Sequence, residues 1–211
     1  MLCLFDLDGT LIDSEPGITA CIRHALDRLD VPAPADLRGW IGPPLRHSFG
    51  PLLDHDADRV EAAVAHYHER FSARGWREHS VYPGVAALIE RLRSAGCRLA
   101  VVTSKPVRHA APILESLPFG GAFEKLYGPD PRSAHSEKAG MIATALADFG
   151  TAPSAAAMIG DRRFDIEGAV ANGVPGIGVL WGFGHREELQ QAGAQAIVAN
   201  PQELGTRLLG A

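Results

Sequence analysis

Two carboxylates one residue apart stand near the start of the chain, in the run Asp6-Leu7-Asp8-Gly9-Thr10. They follow a short apolar stretch, Leu2–Phe5, that reads as a buried strand. Two acids so placed repel each other, and a cation, a shared proton or hydrogen bonds must compensate. A hard divalent ion such as Mg²⁺ is the simplest compensation. Gly9 permits a turn and close approach of the backbone to a ligand. Taken alone, the same five residues also read as a polar turn. A second acidic pair, Asp161 and Asp165, sits in Gly160-Asp161-Arg162-Arg163-Phe164-Asp165 after another apolar run. If a helix starts near Arg163, both acids point back toward the strand end, although Asp is also a common helix cap. Four acids at strand ends, Asp6, Asp8, Asp161 and Asp165, with no equal cluster of bases beside them, make a metal site.

Phosphate chemistry needs donors as well as a cation. Thr103 and Ser104 follow the apolar run ending in Val102 and precede Lys105-Pro106. Their hydroxyls, with the amides of the next helix start, suit phosphoryl oxygens or an ordinary N-cap. Lys138 precedes a helical pattern and reaches a strand-end site from a third loop. The chain has only two other lysines, Lys105 and Lys125, which makes Lys138 and Lys105 notable. Arg46, after Gly42-Pro43-Pro44-Leu45, offers a planar fork for a substrate carboxylate or second phosphate, or is a surface arginine. His66 and His68, two apart on one helix, point in different directions and make a poor metal pair. Trp181, Phe183 and their flanking glycines read as a loop near the site or, more safely, as ordinary packing of the last strand.

The elements that must position these groups alternate. Apolar runs recur at Arg98–Thr103, Ala156–Gly160, Pro175–Leu180 and Ala194–Val198, with a weaker strand at Lys125–Tyr127. Between them lie helical patterns, Val85/Leu88/Ile89/Leu92 ended by Gly96, and Met141/Ile142/Ala145/Leu146/Phe149 ended by Gly150. Alternating strand and helix predicts an α/β fold, a Rossmann-like parallel sheet covered on both faces. Residues 14–79 break the alternation. Ile18, Ile22, Ala25, Leu26 and Leu29 form one helical stripe; Val60, Val64, Tyr67 and Phe71 form another. The expected organisation is an α/β core of residues 1–13 and 80–211 with an inserted all-α cap of residues 14–79. In an open parallel sheet the ligand site lies beyond the carboxyl ends of the strands, where the acids, Thr103 and Ser104 fall.

A net charge of −5 over 211 residues gives no electrostatic footprint for nucleic acid or an anionic membrane. It permits a small anionic substrate at a locally positive site. Three scattered cysteines, Cys3, Cys21 and Cys97, read as reduced thiols. The N-terminus lacks the basic and long apolar regions of a secretory signal, and no run is long enough to span a bilayer. The expectation is a cytoplasmic monomer or homodimer acting on a small-molecule phosphate ester, with neither nucleic-acid nor membrane partners.

These residues, in this order, resemble the haloacid dehalogenase superfamily, in its phosphoglycolate phosphatase and 5′-nucleotidase-like branch with a helical cap. Asp6–Leu11 (DLDGTL) is similar to the first family motif, Val101–Ser104 (VVTS) to the second, Lys138 in HSEKAG to the third and Gly160–Asp165 (GDRRFD) to the fourth. DSEPG after the first motif, Ile41–Leu45 (IGPPL), Tyr82–Val85 (YPGV) and Gly178–Gly184 (GVLWGFG) extend the likeness to that branch. Ser104 and Phe164 stand where the family often has Asn. The resemblance implies a Mg²⁺-dependent phosphomonoesterase. Asp6 is the nucleophile that forms an aspartyl-phosphate, and Asp8 the acid and then the base. Mg²⁺ is held by Asp6, the Asp8 carbonyl and Asp161, with Asp165 a ligand through water or a group that orients Lys138. Thr103 and Lys138 offset phosphoryl charge, and Gly9, Thr10, Ser104 and Arg46 contact substrate. A dehalogenase needs neither Asp8 nor a metal, and a phosphonatase needs a cap lysine that residues 14–79 lack. A phosphosugar mutase and a non-catalytic phosphate-binding module are the alternatives.

Overall fold

The computed structural model describes residues 1–129 and 137–210. In chain order the elements are β1 Leu2–Phe5, β2 Ile12–Asp13, α1 Glu15–Asp27, α2 Leu45–Leu52, α3 Ala57–Ala73, β3 Ser80–Val81, α4 Val85–Ser94, β4 Arg98–Val102, α5 Val107–Ser116, β5 Lys125–Tyr127, α6 Lys138–Phe149, β6 Ala156–Gly160, α7 Arg163–Ala171, β7 Gly176–Val179, α8 Arg186–Gln191, β8 Ala196–Val198 and α9 Pro201–Leu209. They fall into two compact units, Met1–Asp13 with Val81–Ala211, and Ser14–Ser80. β2 and β3 pair where the chain passes from one unit to the other.

The larger unit is the α/β layer structure that the alternating pattern predicts. Its sheet runs β5-β4-β1-β6-β7-β8, and every neighbouring pair is parallel. From β1 the chain builds outward through β4 to β5, then returns to the opposite side of β1 and builds outward again through β6, β7 and β8. β1 is therefore the switch in strand order, beside which a crevice opens at the carboxyl ends. β1, β4 and β6 are buried almost throughout, as expected for strands covered on both faces. Alternate residues serve alternate faces: Leu2, Leu4, Ala100, Val102, Ala156 and Met158 pack with Met141, Ile142 and Ala145 of α6 and with Ala169 of α7. On the other face Phe5 meets Phe123 edge-on at 6.0 Å.

The smaller unit is helical and has its own apolar interior. Ile18, Cys21, Ile22, Ala25 and Leu26 of α1 and Val60, Ala63, Val64, Tyr67 and Phe71 of α3 are buried, and the two helices pack together. The last member of the predicted α1 stripe, Leu29, lies beyond the helix end. Asp56 caps α3 by accepting from the Arg59 amide at 3.1 Å. Arg70 makes a two-bonded contact to Glu78 at 2.8 and 3.1 Å. Among the described residues no helix is long and apolar enough to cross a membrane, and Cys3, Cys21 and Cys97 form no disulfide.

Candidate active site

Three neighbouring strands deliver the acids and hydroxyl to one edge of the sheet. The Asp6 amide donates to Ile159 O at 2.9 Å, which carries the β1 ladder one residue past the strand and points Asp6 out of its end. β6 stops at Gly160 and delivers Asp161 beside it. β4 stops at Val102, where the Thr103 amide donates to Tyr127 O at 2.9 Å. Two helices complete the set at their first turns: Lys138 opens α6 and Asp165 lies in the first turn of α7. An acid there also meets the positive end of the helix dipole.

Lys138 is the hub of this cluster. Its ammonium donates to Asp6 Oδ1 at 2.9 Å and to Val102 O at 2.9 Å. It lies 2.7 Å from Asp165 Oδ1, close enough for an ion pair but not aligned as a hydrogen bond. The other Asp165 oxygen accepts from the Arg162 amide at 3.1 Å. Asp161, fully buried, accepts from Thr10 Oγ1 at 3.2 Å and from the Phe183 amide at 2.8 Å. Gly9 is needed here. Its φ is +83°, and a Cβ would stand 2.2 Å from Asp161 Oδ2. Asp8 turns the other way, with Oδ1 2.6 Å from the Lys105 ammonium. The Lys105 amide donates to Thr103 Oγ1 at 3.1 Å.

The electrostatics leave a gap of defined size. Carboxylate oxygens of Asp6, Asp161 and Asp165, all buried, lie within 4.8 Å of one another. With all three ionised, three carboxylates facing one ammonium leave an excess of two negative charges, the charge of one divalent cation. Burial pushes the Asp6 carboxyl up to about 7 against the pull of Lys138, with Asp165 and Asp8 adding to the rise. Burial, then Asp6 and Asp165, holds Asp161 well above the usual carboxylate range. Burial works against the charge of Lys138, but the carboxylates of Asp165 and Asp6 outweigh it and its pKa is raised. Hard oxygen donors, close-set and short of positive charge, fit Mg²⁺.

Residues 3–179 match the family model of the haloacid dehalogenase-like hydrolases. The chain belongs to the haloacid dehalogenase-like hydrolase family. It is 41% identical to a 5′-nucleotidase of Pseudomonas aeruginosa over 89% of this chain and 86% of that one. It is 30% identical to phosphoglycolate phosphatase 1 of the same organism over 96% and 78%. A relative named tyrosine-protein kinase PtkA, from Mycobacterium tuberculosis, is 36% identical over 93% of this chain and 67% of that one. Among solved structures, a predicted phosphatase from Clostridium acetobutylicum superposes with a TM-score of 0.92 at 38% identity, covering 100% and 98% of the two chains. The family, the α/β fold and the phosphatase class expected from the motifs are borne out.

Within the family framework, Asp6, Asp161, Asp165 and Lys138 come together as one cluster, with Thr103 buried at the neighbouring strand end. Ser104 is exposed. Thr10, expected to face substrate, is buried with its hydroxyl on Asp161. Arg46 belongs to the smaller unit, where its guanidinium makes a two-bonded contact to Glu61 with both side chains largely exposed. The Trp181–Gly184 loop is more than the packing read from the sequence. Trp181 Nε1 donates to Thr10 O at 3.0 Å, the Phe183 amide donates to Asp161, and a Cβ at Gly182 would sit 2.2 Å from Gly9 O. The crowding of glycine around Trp and Phe was the available signal. Lys105, notable in the sequence for the scarcity of lysine but given no role there, lies against Asp8.

Proposed function

We propose that the chain is a Mg²⁺-dependent phosphomonoesterase that hydrolyses small soluble phosphate esters through an aspartyl-phosphate on Asp6. The observation that carries this reading is the Lys138 ammonium on Asp6 Oδ1 within a buried triad of carboxylates. Asp6, Asp161 and the Asp8 carbonyl would hold the cation, which supplies the positive charge that lets an anionic phosphate approach an anionic nucleophile. Asp165 orients Lys138. In the first step an Asp6 oxygen forms a bond to phosphorus, the bond to the leaving oxygen breaks, and Asp8 gives that oxygen a proton. In the second, Asp8 takes a proton from water, the water oxygen bonds to phosphorus, and the Asp6–phosphorus bond breaks. Lys138 and Thr103 offset charge on the phosphoryl oxygens as it moves.

Phosphoglycolate and nucleoside monophosphates are the substrate classes favoured by the names of the relatives. The Ser14–Ser80 unit is the expected selector among esters. Phosphate release from a panel of phosphoglycolate, nucleoside monophosphates and phosphosugars tests the reading, with Mg²⁺ and with chelator. The expected result is Mg²⁺-dependent release that Asp6→Asn abolishes, a loss of at least about 10⁴-fold for a covalent nucleophile. Activity that survives in Asp6→Asn overturns the nucleophile. Phosphoryl transfer between sugars without release to water would make the protein a mutase instead.

A further inference from the structure

Three lysines serve the whole chain. Lys125 pairs with Asp148 at the surface, half-exposed. Lys138 neutralises part of the acidic triad. Lys105 is part-buried, its side chain 8% exposed and that of its partner Asp8 12% exposed. Burying such a pair gives little net stability, because desolvation opposes the attraction. Stability alone therefore does not account for it.

We propose that Lys105 is a positioning residue for Asp8, its part-buried ammonium holding the Asp8 carboxyl group in reach of the leaving oxygen. The inference rests on the phosphomonoesterase reading above. Two features support it. Lys105 is the sole side-chain partner of Asp8 among the described residues, at 2.6 Å and through Oδ1 alone. Asp8 thus lies outside the Lys138 hub and takes its orientation from a separate cation. The lysine stem also starts from a fixed point: its amide donates to Thr103 Oγ1 at 3.1 Å. Its carbonyl is packed so tightly on Gly128 that a Cβ there would stand 2.6 Å from it. β1 and β4 are adjacent parallel strands, so the contact joins the two loops at their carboxyl ends. It ties the acid–base group to the loop that carries the Thr103 hydroxyl.

A positioned acid matters most when the leaving oxygen is strongly basic. The test is therefore kcat/KM for an alkyl phosphate, glycerol phosphate, against p-nitrophenyl phosphate, whose leaving group needs little protonation. The variants are Lys105→Met, Lys105→Arg, Asp8→Asn and the Lys105→Met/Asp8→Asn double. kcat/KM is the right readout because it reports through phosphoryl transfer and is blind to the later hydrolysis of the intermediate. Lys105→Met is expected to lose about 10- to 100-fold on the alkyl ester, the scale of a misplaced catalytic group, and far less on the aryl ester. Lys105→Arg should recover part of the loss. In the Asp8→Asn background Lys105→Met should cost nothing more. Equal losses on the two esters, no loss on either, or a full additional loss in the double variant would overturn the assignment. Thermal unfolding checks each variant, and if Lys105→Met does not fold the same comparison is read from Lys105→Gln, which also removes the charge. A wild type that hydrolyses neither ester overturns the phosphomonoesterase reading and this inference with it. A wild type that hydrolyses both while the losses are equal overturns the role of Lys105 alone.

Discussion

Each acid in the cluster has its own neighbours, and these separate the roles. Asp6 shares Lys138 with Asp165, Asp161 takes a hydroxyl and an amide, and Asp8 takes Lys105. Lys138 has all its contacts inside the cluster, to two carboxylates and a strand-end carbonyl. Lys138→Met keeps the side-chain bulk and removes the charge. Its expected outcome is a fall of about 10²–10³-fold in kcat, the scale for losing one preorganised charge donor. A second expectation is lower thermal stability in chelator, because three buried carboxylates are left without an ammonium. Steady-state phosphate release and a melting curve check both. A kcat within a few-fold of wild type would remove Lys138 from the catalytic group.

The element that sequence reading undervalued is the loop after β7. It lies over Gly9, Thr10 and Asp161 and contributes one amide, Phe183 N, to a carboxylate that would bind metal. Gly182 is one tight point, since an added methyl would meet both the backbone at Gly9 O and the side chain of Asp161 itself. Gly182→Ala is therefore expected to displace the loop and weaken Mg²⁺ binding by about 10- to 100-fold, the usual cost of disturbing groups that hold a ligand in place. Titration calorimetry with Mg²⁺ measures this directly, without turnover. An unchanged affinity would show that Asp161 is held by Thr10 and its own strand end without the loop.

For the whole molecule, the acidic cluster links folding to protons and, on the proposed function, to a divalent cation. Asp6 is raised to about 7 from an ordinary value near 4, and Asp161 is raised in the same direction. Between about pH 4 and 7 the metal-free folded protein therefore holds protons that the unfolded chain has released. The sign follows from linkage: stability from these groups falls as pH rises through that window and stays low above it. A bound divalent cation keeps both carboxylates ionised and removes the penalty. The Mg²⁺-induced rise in melting temperature should therefore grow from pH 4 to 7. Melting curves in Mg²⁺ and in chelator at each pH measure the difference. A Mg²⁺ effect that is flat across the window would mean that these acids do not bind the ion.

The alternation of apolar runs with helical stripes was enough to read the parallel sheet, because period-2 and period-3.6 burial are properties of the chain itself. The ordered motifs around Asp6, Thr103, Lys138 and Asp161 likewise announced the family before any coordinates. Strand order was not legible: that β1 lies between β4 and β6 depends on which helices cover which face. The partition of the charges followed from that order. Lys105 and Lys138 are the same residue type in similar strand-end settings, yet one lies against Asp8 and the other against Asp6 and Asp165. Only the adjacency of β1 to β4, and of α6 to α7, decides which carboxylate each ammonium can reach. The contacts of the Trp181 loop are decided only in three dimensions for the same reason, since the partners of Trp181 and Phe183, Thr10 and Asp161, are 171 and 22 residues away in the chain.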